Sequence, residues 1–210
     1  MKPKSGDKDF GFCAEDGPLL VGTVRQTIHR YLTTMKTEIA EELIQDRRFE
    51  QKMGCFVTLK IDDNRKSLRG CIGFSEPVYK LSLALTNAAI YAATQDPRFE
   101  PVRLSELDRL LVEVSMLTRP EKINVSNPED IPSKIKVGLD GLIMKWDFGS
   151  GLLLPQVATE FNWTAKSFLE NLGIKAGAGS NQWLKPNTQI YKFQTKIFEE
   201  ITPRGNVILS

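Results

Sequence analysis

The chain has 210 residues, 41% hydrophobic and 26% charged, with 28 Lys and Arg against 26 Asp and Glu and a formal net charge of +2. That composition fits a folded protein of one large domain or two coupled ones, and the near balance of charge excludes a broad nucleic-acid or membrane-surface footprint. No apolar run approaches the roughly 18–20 residues that cross a bilayer.

Met1 to Asp9 is polar and lacks the apolar core of a signal peptide. Three widely spaced cysteines, Cys13, Cys55 and Cys71, do not make a disulfide framework and point to a reducing cytoplasm. One histidine, His29, and no C-x-x-C pair argue against a metal site, and no cofactor motif is legible.

In chain order, apolar positions Leu20, Val24, Ile28, Leu32, Met35, Ile39 and Leu43 recur at helical spacing and predict a helix over 19–45, opened by Gly17-Pro18. His29 lies beside that stripe as a structural or surface residue. Residues 55–61 and 67–72 read as two strands of a hairpin around Asp62-Asp63-Asn64. Pro77 opens an alanine- and leucine-rich helix to about residue 93. Asp96-Pro97-Arg98-Phe99 is a loop, because the residue before proline leaves helical geometry. Ser105 caps a short helix to 109, and 110–117 alternates as a strand.

Pro120, Pro128 and Pro132 punctuate a stretch without period and mark a boundary at 118–133. Beyond it, 135–137 and 142–146 read as strands joined by the Asp140-Gly141 turn. A strand at 151–154 and helices over 155–161 and 164–172, the second capped by Thr164, follow. Trp146, Trp163 and Trp183 form the core of this smaller module. Residues 189–200 read as one long amphipathic strand.

Residues Leu68-Arg69-Gly70-Cys71-Ile72-Gly73 are the most informative stretch. Strand alternation places Arg69 and Cys71 on one side, where a cation favours the thiolate of a candidate nucleophile, with Arg69 its activator. Gly70 and Gly73 leave backbone bare for a substrate or another segment. Cys71 equally suits a small buried hydrophobe. Asp96, Arg98 and Glu113 are candidate binding residues; an ion pair within the loop and a solvent-facing strand position are their structural alternatives. Tyr191, Lys192, Phe193 and Lys196 have the pattern of an RNA-stacking strand and equally that of a half-buried one.

The hexapeptide, with Asp96-Pro97-Arg98-Phe99, Val112-Glu113-Val114-Ser115, Val137-Gly138-Leu139-Asp140-Gly141-Leu142, Gly151-Leu152-Leu153-Leu154-Pro155-Gln156-Val157-Ala158, Lys175-Ala176-Gly177 and Ile190-Tyr191-Lys192-Phe193, resembles the AMMECR family over about residues 20–203. The resemblance implies an α+β fold of two unequal domains with mainly antiparallel sheets. The larger would be built from both chain ends (1–120 and 189–210), the smaller from 121–188, with a cleft between them near the hexapeptide. It also implies a cytoplasmic or nuclear protein whose molecular function is not established. Members in some bacteria are associated with a radical-SAM protein and a Memo-like protein. Many members carry a cysteine where this chain has Gly173, so Cys71 would act without a second thiol. The expected function is a small-molecule or modified-residue site around Arg69 and Cys71; the alternatives are a non-catalytic module for a protein or RNA segment, or an accessory partner of a modifying enzyme.

Overall fold

The computed structural model describes residues 11–209; the expectation for Met1 to Asp9 lies outside them. Helix α1 (Gly17–Thr34) carries Pro18 in its first turn, where a missing N–H is harmless. It ends earlier than its periodicity predicts. Thr33 and Thr34 turn their hydroxyls back onto the His29 and Arg30 carbonyls, and Met35 adopts a left-handed conformation with φ 58°. Such back-bonding by β-branched hydroxyl residues competes with helix continuation. A separate short helix, α2 (Glu41–Gln45), holds Leu43 in the core.

The hairpin is present as β1 (Gly54–Ile61) and β2 (Leu68–Phe74), paired antiparallel. Helix α3 (Leu81–Thr94) follows, then α4 (Leu104–Leu107) and β3 (Leu110–Leu117). Helix α4 is capped by Glu106, whose carboxylate accepts the Arg103 N–H at 2.7 Å, rather than by Ser105. Strand β4 is Glu121–Lys122, and the stretch Pro128–Lys134 winds as a 3-10 helix. The expected strand at 135–137 is instead a turn. The Lys136 N–H donates to Asp140 Oδ2 at 2.9 Å, and the Asp140 N–H returns to the Lys136 carbonyl at 2.9 Å.

Strands β5 (Gly141–Trp146) and β6 (Gly149–Leu153) form a second hairpin, followed by α5 (Pro155–Glu160) and α6 (Ala165–Lys175). Thr164 caps α6 as its sequence predicts, its hydroxyl accepting the Ser167 N–H at 3.2 Å. The expected long terminal strand is two strands, β7 (Gln189–Phe193) and β8 (Thr195–Glu200), before β9 (Val207–Leu209). Gln194 divides them. Its backbone N–H donates to Thr118 Oγ1 at 2.8 Å and its carbonyl accepts the Thr118 N–H at 2.9 Å, so its polar groups are satisfied outside either ladder.

The fold is α+β with antiparallel pairing, in two sheets ordered β2-β1-β3-β8-β9 and β4-β7-β5-β6. Tertiary contacts divide the chain into two compact units. One runs to Leu117 and resumes at Lys196; the other is Thr118–Thr195. In the first, Leu20, Val24 and Ile28 of α1 and the small residues of α3 share one cluster with Cys55, Val57 and Leu59 of β1 and Val112, Val114 and Met116 of β3. These are alternate strand residues, so one sheet face makes the core. In the second unit, Leu142, Met144, Phe168, Leu172 and Trp183 share a separate core. Trp183 is buried, and Trp146 and Trp163 pack at that core's margin.

Arg25 is the one buried arginine of α1, and its bonding is dense. Nε and Nη2 reach the two Glu200 oxygens at 2.6 and 2.5 Å. Nη1 donates to the Leu107 carbonyl at 2.9 Å, and Nη2 also donates to the Leu110 carbonyl. Glu200 further accepts the Val112 N–H at 2.9 Å. Removing one partner strands a buried charge, a loss of about 3–5 kcal/mol. Arg25→Met and Glu200→Met are each expected to lower the melting temperature sharply. The double change Arg25→Met with Glu200→Met is expected to fall by less than the sum; additive losses in thermal melts would contradict a coupled pair.

Candidate functional site

Strand β2 is an edge of its sheet, so one row of its backbone groups lacks a strand partner. The Asp96-Pro97-Arg98 loop covers that edge at Cys71. Asp96 Oδ2 accepts the Cys71 N–H at 2.8 Å, and Arg98 Nη2 lies 3.5 Å from the Cys71 carbonyl. A carboxylate and a guanidinium thus offer the acceptor and donor that a neighbouring strand would supply. The two are bound to each other through Arg98 Nε at 2.9 Å and Nη2 at 2.6 Å. These hydrogen bonds hold the buried Asp96 carboxyl well below the usual carboxylate range, with the Cys71 N–H adding to the effect against burial.

On the face of the sheet away from α1 and α3, Cys71 of β2, Thr58 of β1 and Glu113 of β3 stand opposite one another. Thr58 donates its hydroxyl to Cys71 Sγ at 3.3 Å. Glu113 binds Lys60 Nζ at 2.5 Å and accepts the Ser115 hydroxyl at 3.4 Å. Thr58, Glu113 and Ser115 are buried, while Cys71 keeps part of its surface exposed.

This geometry does not lower the Cys71 thiol pKa. Burial pushes it up, and the Glu113 and Asp96 carboxylates push the same way; the Thr58 hydrogen bond and the Arg98 charge oppose them without prevailing. The Arg69 guanidinium, expected to activate the thiol, is engaged elsewhere. It donates to the Glu100 carbonyl at 2.9 Å and reaches Glu106 at 3.2 Å. The reason is a β-bulge: the register steps from Leu59↔Gly70 to Lys60↔Leu68, leaving Arg69 as the extra residue. A bulge breaks period-two alternation and re-aims the side chain it carries.

The glycines serve packing. A Cβ on Gly70 would meet the Ala92 carbonyl oxygen of α3 at 2.1 Å, and one on Gly73 would meet the Cys55 carbonyl oxygen at 2.3 Å and the Phe56 ring at 2.5 Å. Gly70 is buried against the helix that crosses the sheet, and its bare backbone faces no ligand space.

The structure therefore brings Cys71, Asp96, Arg98 and Glu113 together and leaves Arg69, Gly70 and Gly73 in supporting roles. Sequence reasoning missed Thr58, Lys60 and Ser115. The signal for Lys60 was the alternation of β1, Phe56-Thr58-Lys60 against Cys55-Val57-Leu59, within a run that reads as simply apolar, and that for Ser115 was its place two residues from Glu113 in β3; Thr58 by itself carried none. The basic–aromatic pattern near the C-terminus is not a platform. Phe193 is fully buried with its ring over Gly141, and Lys192 donates to the Lys134 carbonyl at 3.0 Å. Lys196 lies on another strand and binds the Phe12 carbonyl at 3.1 Å. His29 is exposed on α1. Among the described residues no cluster of three or more His, Cys, Asp and Glu could hold a metal ion, and no helix is long and apolar enough to cross a membrane.

The hexapeptide strand, its Asp-Pro-Arg cover and the β3 carboxylate are arranged as one unit, and the AMMECR1 family pattern matches residues 21–198. The chain belongs to the AMMECR1 family. A Methanocaldococcus jannaschii protein, MJ0810, is 47% identical over 92% of this chain and 94% of its own length. A Pyrococcus abyssi protein, PYRAB00100, is 48% identical over 92% of this chain and 94% of its own length. The crystal structure of the uncharacterised protein PH0010 from Pyrococcus horikoshii superposes with a TM-score of 0.87 at 46% identity, covering 95% of this chain and 98% of that one. The names of these three relatives state no activity, so the reading of the site rests on its chemistry.

Two outcomes are expected here. Near neutral pH iodoacetamide should label exposed Cys13 first, Cys71 slowly and Cys55 only on unfolding, since burial drives the Cys55 pKa to about 12. Glu113→Gln removes a raising charge and should speed Cys71 labelling, whereas Thr58→Val should slow it; peptide mapping across pH 7–9.5, a window set about the ordinary thiol value, reads both. Asp96 has a depressed folded-state pKa, so its contribution is complete above about pH 4 and is lost as pH falls further. The melting temperature should therefore drop more steeply below pH 4 in the wild type than in Asp96→Asn. Equal slopes would exclude that linkage.

Proposed function

We propose that the sheet face at Cys71 binds a small polar molecule or a modified side chain, with the thiol serving as a neutral wall and weak donor. The observation that carries this reading is the polar row Cys71–Thr58–Glu113 set across three adjacent strands, where an ordinary sheet face would place apolar or solvated residues. Glu113 is doubly bonded yet retains acceptor capacity, the Thr58 hydroxyl keeps its lone pairs, and Lys60 adds a cation beside them. That set suits an amide or amino-acid-like ligand carrying both donors and acceptors.

Thiolate catalysis would require a basic group on the bound ligand to take the Cys71 proton, because Glu113 stands beyond Thr58 on β3 and is bound to Lys60. Thr58 and Arg98 are the groups that would favour the resulting anion. Binding by strand addition at β2 is opposed by the Asp96–Arg98 cover.

Saturation-transfer NMR with a panel of free and N-acylated amino acids tests the reading. At least one member should bind, and Cys71→Leu or Lys60→Met should weaken it by about tenfold or more, the loss of one buried polar contact. A panel in which every binder is indifferent to both substitutions would sink it.

A further inference from the structure

A concavity lies beside α1 in the first unit, well away in sequence from the hexapeptide. A cavity of about 830 Å³ opens between α1 and the turn joining β8 to β9, within the about 300–1,000 Å³ range of small-molecule sites. Pro18, Val21 and Gly22 of α1, Leu107 of α4 and Val207 of β9 give it an apolar floor. Arg25, His29, Arg30 and Arg204 line it as well, and Glu200 is the one carboxylate among its described lining residues.

Gly22 carries the argument. It sits inside an 18-residue helix, where glycine is less stable than alanine, and a Cβ there would meet no atom of the described residues within 4 Å. No described segment accounts for the missing side chain, and its φ is not in the left-handed region. What the missing side chain leaves open is the cavity itself, whose wall is bare helix backbone at that point.

The charges choose the ligand. Glu200 is engaged by Arg25 and by the Val112 and Arg204 N–H groups, so among the described lining residues no open carboxylate is left for a cation. Among the described residues, the Arg30 and Arg204 guanidinium groups pair with acids on the exposed surface: Glu38 at 3.4 Å and Asp108 at 2.5 Å. Exposed pairs hold their partners weakly, and a guanidinium binds oxyanions through a planar donor fork. We propose that this cavity binds a small organic anion, an apolar ring or chain lying over Gly22 and Val207 and ending in an oxyanion held by Arg30 and Arg204.

The test uses the full chain and two fluorescent probes of similar body, anionic 8-anilinonaphthalene-1-sulfonate and uncharged N-phenyl-1-naphthylamine. The sulfonate should bind at one site per chain and more tightly than the neutral probe, weakening as salt is raised. Gly22→Leu should melt at or above the wild-type temperature and bind the sulfonate about tenfold or more weakly, because the leucine occupies the floor. Arg30→Gln with Arg204→Gln should weaken the sulfonate several-fold, abolish its salt dependence and leave the neutral probe unchanged. Sulfonate binding that is equal in wild type and folded Gly22→Leu overturns the proposal. So does a neutral probe that binds as tightly as the anion, or an arginine double variant that binds the sulfonate as wild type does.

Discussion

The buried pair of Arg25 and Glu200 is the constraint on which the first unit depends. One side chain comes from the first helix and the other from the end of β8, 175 residues later. Between them they also bind the Leu107 and Leu110 carbonyls and the Val112 N–H, so helix, α4, β3 and β8 meet at one cluster of charge-assisted bonds. Two ions taken out of water are tolerated only when their geometry and remaining hydrogen bonds are complete. That completeness fixes where α1 lies against the sheet and requires both chain ends to be present together. Strand β3, between β1 and β8, is consequently buried along its whole length.

With β3 so placed, the chemistry of its second face follows. Val112, Val114 and Met116 turn to the helices, leaving Glu113 and Ser115 on the opposite side in line with Thr58 and Cys71. A carboxylate buried there needs a partner, and Lys60 provides it. The same neighbourhood explains the neutral thiol: a half-buried cysteine close to two carboxylates is a poor place for another negative charge. The site is organised around holding polar groups in register.

Much of this was legible in the residues. Strands β1 and β2 follow from a β-branched, apolar run and its hairpin turn, β3 from alternation and the capped helix α6 from Thr164, because local pattern and tertiary burial agree there. Where they disagree, a non-local hydrogen bond is responsible. The 189–200 stretch alternates without interruption, and nothing in it announces that Gln194 will bond to Thr118 and split it. The Arg69–Cys71 relation failed for a similar reason, since a bulge is a property of two paired strands and one strand's sequence does not carry it. Asp96 and Glu113 could be picked out as polar residues in unexpected places. Thr58 could not, because a threonine in a strand is ordinary until its neighbour proves to be a thiol.

The Thr118–Gln194 pair has an architectural consequence. The segment Thr118–Thr195 leaves β3 and returns to β8 through residues joined by two hydrogen bonds, so its two ends are pinned side by side. To the five-stranded sheet, that whole segment is topologically a hairpin loop between neighbouring strands. Loop-closure entropy grows only with the logarithm of length, so lengthening a segment whose ends are clasped adds little to the cost of closing it. The segment is thus a cassette: a change in its length reaches the sheet only weakly as long as the threonine and glutamine at its neck keep their clasp.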